Sequence, residues 1–123
     1  MATVLIIDDD ELMRSFMIES FESKGYTVRV ATNGQLGIDA YIENPTDLVI
    51  TDLFMPEEDG VEVVRSLTKH DPNVKILAMS GGDSSAGRKD VLEDFGVKRT
   101  FGKPFKIAEV LAAAEEVLLK DDE

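Results

Sequence analysis

The side chains able to do chemistry in this 123-residue chain fall at separated points: Asp8-Asp9-Asp10, Asp52, Ser80 and Lys103. Cysteine is absent, which excludes disulfides, thiolate metal sites and cysteine nucleophiles and leaves the chemistry to oxygen and nitrogen. Two or three carboxylates pressed together repel one another, and they invite either a raised pKa or a hard divalent cation with oxygen ligands. Mg²⁺ suits such a site best, because it accepts few carboxylates and keeps waters for a phosphate. A carboxylate can also attack phosphorus itself and form an aspartyl phosphate, provided the charge building on the transferred oxygens is neutralised. The metal, Lys103 and Ser80 would supply that neutralisation.

Each signal alone is weak. The acidic run also suits a solvated helix start, and Asp52 ahead of Met55-Pro56 also suits a turn. Ser80 stands in a Ser/Gly stretch, and a single lysine usually lies in solvent. The elements around them raise the specificity.

Val4-Leu5-Ile6-Ile7 reads as a strand buried on both faces, and it runs straight into the aspartates. Met13, Phe16, Met17 and Phe21 recur at helical spacing, with Asp10 as cap and Gly25 as stop. A strand over Tyr26 to Ala31, a turn at Asn33-Gly34 and a helix over Gln35 to Glu43, ended by Asn44-Pro45, follow. Leu48 to Thr51 repeats the buried-strand pattern ahead of Asp52, and Val61, Val64 and Leu67 make a helical face before Asp71-Pro72. Val74 to Met79 reads as a fourth strand, Arg88 to Phe95 as a helix, Arg99 to Phe101 as a weak strand and Ile107 to Leu119 as an amphipathic last helix. Five βα units in strict alternation predict a parallel sheet with helices on both faces. In such a sheet the polar site lies in the crevice beyond the carboxyl ends of the strands, which is where the four chemical positions fall.

Taken together, VLIIDDD, TDLFMPEEDG, AMSGG and GKPF resemble the receiver domain of two-component response regulators, over essentially the whole chain. The resemblance implies a flavodoxin-like (βα)5 α/β fold with strand order 2-1-3-4-5. It also implies that Asp52 is the phosphorylation site, that Asp8 and Asp9 hold Mg²⁺ with it, and that the Phe54 backbone carbonyl completes the protein ligands. Mn²⁺ is expected to substitute. Ser80 and Lys103 would contact the phosphoryl oxygens. The donor would be a histidine kinase or a histidine phosphotransfer protein, and the output would be binding of a downstream protein at the face of the fourth helix, fifth strand and fifth helix. This describes a phosphoacceptor that catalyses its own transfer and slow hydrolysis, rather than a turnover enzyme.

One position departs from the family. Three residues before Lys103, where a rotating Tyr or Phe is common, this chain has Thr100, with Phe101 on the opposite face of the strand. Ser80 and Thr100 are therefore the switch positions, without the usual ring, and loop 81–87 with Gly81, Gly82 and Gly87 is a second candidate for relaying the signal.

Two other classes stay open. A haloacid-dehalogenase-type phosphohydrolase also begins with a strand and DxD, which Asp8 and Asp10 satisfy, although Glu11 and the short chain fit it poorly. A docking module that never takes phosphate would need no acidic site. GDSSAGRK at 82–89 approaches a nucleotide-binding loop but puts Arg88 and Lys89 where lysine and a hydroxyl belong. His70, ahead of Asp71-Pro72, reads as a surface residue.

Residues 1–123 suit one domain. With 25 acidic against 13 basic side chains, the net charge of −12 disfavours direct binding to nucleic acid or an anionic membrane. The first apolar run lacks a basic leader, and no run approaches the roughly 20 apolar residues of a membrane span, so a cytoplasmic location is expected. After Leu119-Lys120 come only Asp121-Asp122-Glu123, the pattern of a stand-alone regulator or of a receiver cut from a longer protein.

Overall fold

The computed structural model describes residues 2–55, 58–81, 96–103 and 105–119. In chain order these form β1 (Thr3–Ile7), α1 (Glu11–Glu22), β2 (Thr27–Ala31), α2 (Gly34–Glu43), β3 (Leu48–Asp52), α3 (Gly60–His70), β4 (Ile76–Gly81), β5 (Val97–Lys103) and a C-terminal helix (Ile107–Leu119). Phe54–Met55 and Glu58–Asp59 pair as a small antiparallel ladder between β3 and α3. The helix expected over 88–95 and most of the 81–87 loop lie outside the described residues.

The five strands are all parallel and run in the order β2-β1-β3-β4-β5, a flavodoxin-like sheet. The alternation of side chains along β1 explains how one strand serves two cores. Val4 and Ile6 pack with Met17 and Phe21 of α1 and with Val110, Ala113, Ala114 and Val117 of the C-terminal helix. Leu5 and Ile7 face the other way, towards Tyr41 of α2 and Val63, Val64 and Leu67 of α3. Val4, Leu5, Ile6 and Ile7 are all fully buried, which is why an unbroken apolar run was needed there.

Helix ends follow from local chemistry. Asp10 adopts an extended conformation and its carboxylate accepts from the Leu12 and Met13 N–H groups, so it caps α1. At the other end Gly25 has φ of 93°, which lets the Tyr26 N–H reach back to the Phe21 carbonyl at 3.2 Å and close the helix.

Some details differ from expectation. Asn33 is a helix cap rather than part of a turn: its side chain accepts from the Leu36 N–H at 2.8 Å, and Gly34 already belongs to α2. The buried face of α3 centres on Val63 as well as Val64 and Leu67, with Val61 only half-buried. β4 begins at Ile76 because Val74 is held in the preceding turn, its N–H donating to the Asp71 carbonyl at 3.0 Å. β5 is longer than Arg99 to Phe101, since pairing with β4 carries it from Val97 to Lys103.

That turn after α3 is tied to α2. The Tyr41 hydroxyl donates to the Asp71 carboxylate at 2.7 Å, and the other Asp71 oxygen accepts from the Asn73 N–H at 3.0 Å. Burial, the bond to Asp71 and the negative charges of Asp71 and Asp47 all push the Tyr41 phenol above its ordinary value of 10.0. The folded state thus holds this proton more tightly than the unfolded one. The associated stability is complete below pH 10 and is lost as the pH climbs above it towards the raised value. Tyr41→Phe is expected to lower stability by about 1–2 kcal/mol at neutral pH in urea unfolding. The variant's stability should also fall less steeply above pH 10 than that of the natural chain.

Candidate functional site

The parallel register brings the expected site residues to one edge of the sheet. Ile7 of β1 pairs with Thr51 of β3, so Asp8 and Asp52 emerge side by side at the two strand ends. Asp52 pairs with Met79 of β4, which puts Ser80 one residue further along the same edge. Ser80 in turn pairs with Gly102 of β5, and Gly81 with Lys103, so all four backbone positions lie at the carboxyl end of the sheet. Phe54 opens the small ladder two residues past Asp52, opposite Asp59.

Three carboxylates meet there. One oxygen from each of Asp8, Asp9 and Asp52 lies within 4.8 Å of the others. Asp8 and Asp52 are buried, at 0% and 3% exposure, and Asp9 is open to solvent. Burial strengthens the repulsion among such charges, because the field is less screened than in water. A donor set of carboxylate oxygens, with no nitrogen or sulfur, fits a hard cation such as Mg²⁺ and is a poor match for softer metals.

The main chain fixes these carboxylates. The Asp8 N–H donates to the Ala31 carbonyl at 3.1 Å, one Asp8 carboxylate oxygen accepts from the Asp10 N–H at 2.9 Å, and the Asp8 carbonyl accepts from Arg14 Nη1 at 3.0 Å. Asp52 is followed by Leu53, whose N–H continues the ladder to the Met79 carbonyl at 2.8 Å. Against this segment α3 starts very closely. A Cβ on Gly60 would stand 2.5 Å from Leu53 Cα and 2.8 Å from the Leu53 carbonyl oxygen. Only glycine allows that approach.

Asp10 is not in the cluster, since its carboxylate is engaged in capping α1. Thr100 is half-buried and pairs with Ala78. Phe101 faces the opposite side, buried at 5% exposure in the core under α1 and the C-terminal helix, with the Arg99 guanidinium 4.8 Å above its ring. His70 is exposed at the end of α3, away from the site. Arg14 and Gly60 were not apparent from sequence. An arginine in the second turn of a helix reads as a solvated side chain, and a glycine opening a helix reads as turn chemistry.

Comparison with known proteins agrees with this geometry. Residues 4–115 match the sequence profile of the response regulator receiver domain. The chain is 33% identical to the response regulator receiver protein CpdR of Brucella abortus, covering 97% of this chain and 98% of that one. It is 32% identical to the sensor kinase CckA of the same organism over 98% of its own length, but spans only 13% of that protein. A crystal structure of a response regulator receiver domain protein from Clostridium thermocellum superimposes with a TM-score of 0.92, at 22% identity, covering 99% of this chain and 98% of that one.

Two outcomes follow from crowding at this edge. Asp52→Asn removes one of three close negative charges, so in chelator its thermal midpoint should rise by about 4 °C, equivalent to about 1 kcal/mol. Gly60→Ala forces a methyl into the Leu53 backbone and should lower stability by about 1–3 kcal/mol in the same melting experiment.

Proposed function

Because the chain belongs to the response regulator receiver domain family, we propose that it is a single phosphoacceptor domain in which Asp52 takes a phosphoryl group from a histidine kinase or a histidine phosphotransfer protein. The observation that carries this reading is the convergence of the Asp8, Asp9 and Asp52 carboxylates at the ends of β1 and β3. An oxygen of Asp52 attacks the phosphorus of the donor phosphohistidine, the phosphorus–nitrogen bond breaks, and the histidine nitrogen keeps the electron pair and takes up a proton. Asp8, Asp9, Asp52 and the Phe54 backbone carbonyl are the ligands for Mg²⁺, or Mn²⁺ in its place, which when bound supplies positive charge to the phosphoryl oxygens. The Lys103 ammonium and the Ser80 hydroxyl are assigned to the same oxygens by the resemblance to the family and by their place at this edge of the sheet.

Water later attacks the phosphorus of the acyl phosphate, the bond from phosphorus to the Asp52 oxygen breaks, and inorganic phosphate leaves with Asp52 returned to a carboxylate, so the chain is a self-acting phosphoacceptor rather than a turnover enzyme. Ser80 and Thr100 are the switch positions, and the surface formed by β5 and the C-terminal helix, with the segment between β4 and β5, binds the downstream protein. Likeness to part of a sensor kinase supports a place in two-component signalling. Among the described residues no helix is long and apolar enough to cross a membrane. A cytoplasmic location and the lack of direct nucleic-acid binding are proposed from the donor class and the charge of −12. A haloacid-dehalogenase-type hydrolase is disfavoured, because Asp10, the second acid of its DxD, has its carboxylate committed to the α1 cap.

Incubation with acetyl phosphate and MgCl₂ tests the reading by intact mass. One added phosphoryl group is expected on the natural chain and none on Asp52→Asn. No adduct on the natural chain would remove the acceptor function in favour of a docking module, and rapid turnover of small phosphate esters would favour a hydrolase.

A further inference from the structure

We propose that Arg14 is a positioning residue for the metal-binding carboxylates, holding the Asp8–Asp9 peptide through its bond to the Asp8 carbonyl. This role rests on the Mg²⁺-binding function proposed above. Asp8 is the first residue past the end of β1. Its N–H is still held by Ala31. Its carbonyl belongs to the peptide that joins the two adjacent acidic residues, and the Arg14 guanidinium donates to it at 3.0 Å across six residues. Rotation of that peptide would swing Asp9 relative to Asp8, and the bond to Arg14 opposes the rotation.

The anchor at the other end is equally defined. Arg14 is half-buried on α1, and its own N–H donates to the Asp10 carbonyl at 2.9 Å. The Asp10 N–H donates to the Asp8 carboxylate at 2.9 Å, while the Asp10 side chain caps the helix that carries Arg14. Residues 8 to 14 thus form a closed ring of hydrogen bonds, with the acidic pair on one side and the guanidinium on the other. Outer groups that orient metal ligands have large effects on affinity although they never touch the metal.

Charge and position act in opposite directions, which makes the role testable. By Coulomb's law alone, a guanidinium beside the site repels a divalent cation, so removing it would tighten Mg²⁺ binding. If it positions the ligands, removing it weakens binding. The experiment is calorimetric titration of the full chain with MgCl₂ alone, with thermal melting in chelator to establish that each variant is folded. Arg14→Met, which keeps the apolar stem and loses the donor, is expected to bind Mg²⁺ about tenfold more weakly. Arg14→Lys keeps a single donor on a flexible stem and should recover part of the loss. Arg14→Met binding as tightly as the natural chain, or more tightly, overturns the role, as does Arg14→Lys with no recovery. Should Arg14→Met not fold without metal, Arg14→Gln decides: weaker binding supports the role, and equal or tighter binding overturns it. A natural chain that binds no Mg²⁺ overturns the function proposed above and this role with it, whereas normal binding by the natural chain and an unaffected variant overturns this role alone.

Discussion

Parallel strands cannot be joined by tight turns, because each must begin again at the edge where the last one began. That constraint gives the sheet two chemically distinct edges, one where every strand enters and one where every strand leaves. In this chain the two central strands are almost wholly apolar up to acidic exits: four fully buried residues of β1 precede Asp8, and three of β3, with buried Thr51, precede Asp52. Residues 44 apart in sequence therefore become neighbours without any long-range contact chosen for that purpose. The register of β1 with β3 is sufficient.

Bringing carboxylates together opposes folding, and the packing beneath them must hold against that repulsion. β1 and β3 are suited to this because both are central and bury both faces. Val4 and Ile6 are fixed under α1 and the C-terminal helix, and Leu5 and Ile7 under α2 and α3. Gly60 adds a second restraint by letting α3 rest directly on the Leu53 backbone. The acidic cluster is thus braced from the apolar side of the strands and from the turn that follows Asp52.

Much of this was legible in sequence where short-range patterns decide the outcome. An apolar run ending in acid appears twice, and helical spacing marks α1 and the C-terminal helix with little ambiguity, so a parallel sheet with acids at its strand ends was readable from pattern, whereas the strand order and the grouping of Asp8, Asp9 and Asp52 as metal ligands came from the family resemblance. The readings that shifted are those decided by geometry between elements. Val74 looks like the start of a strand but is claimed by the Asp71 turn, Asn33 looks like a turn but caps a helix, and β5 gains its length only from pairing with β4. Arg14 and Gly60 were invisible for the same reason: the partner of each is a backbone atom six or seven residues away, brought near by the entry angle of a helix, and no periodicity encodes that angle.

The pairings across β3, β4 and β5 place Asp52, Met79 and Phe101 in one transverse row, with Met79 and Phe101 packed in the same core. Two strand spacings, about 10 Å, separate the two ends of that row. At the far end the Arg99 guanidinium lies over the Phe101 ring at the open margin of the sheet. The acidic edge and the outermost strand are therefore joined by a rung of hydrogen-bonded backbone and close-packed side chains only three residues long. The backbone at Asp52 is thus one pairing from Met79 and two from Phe101.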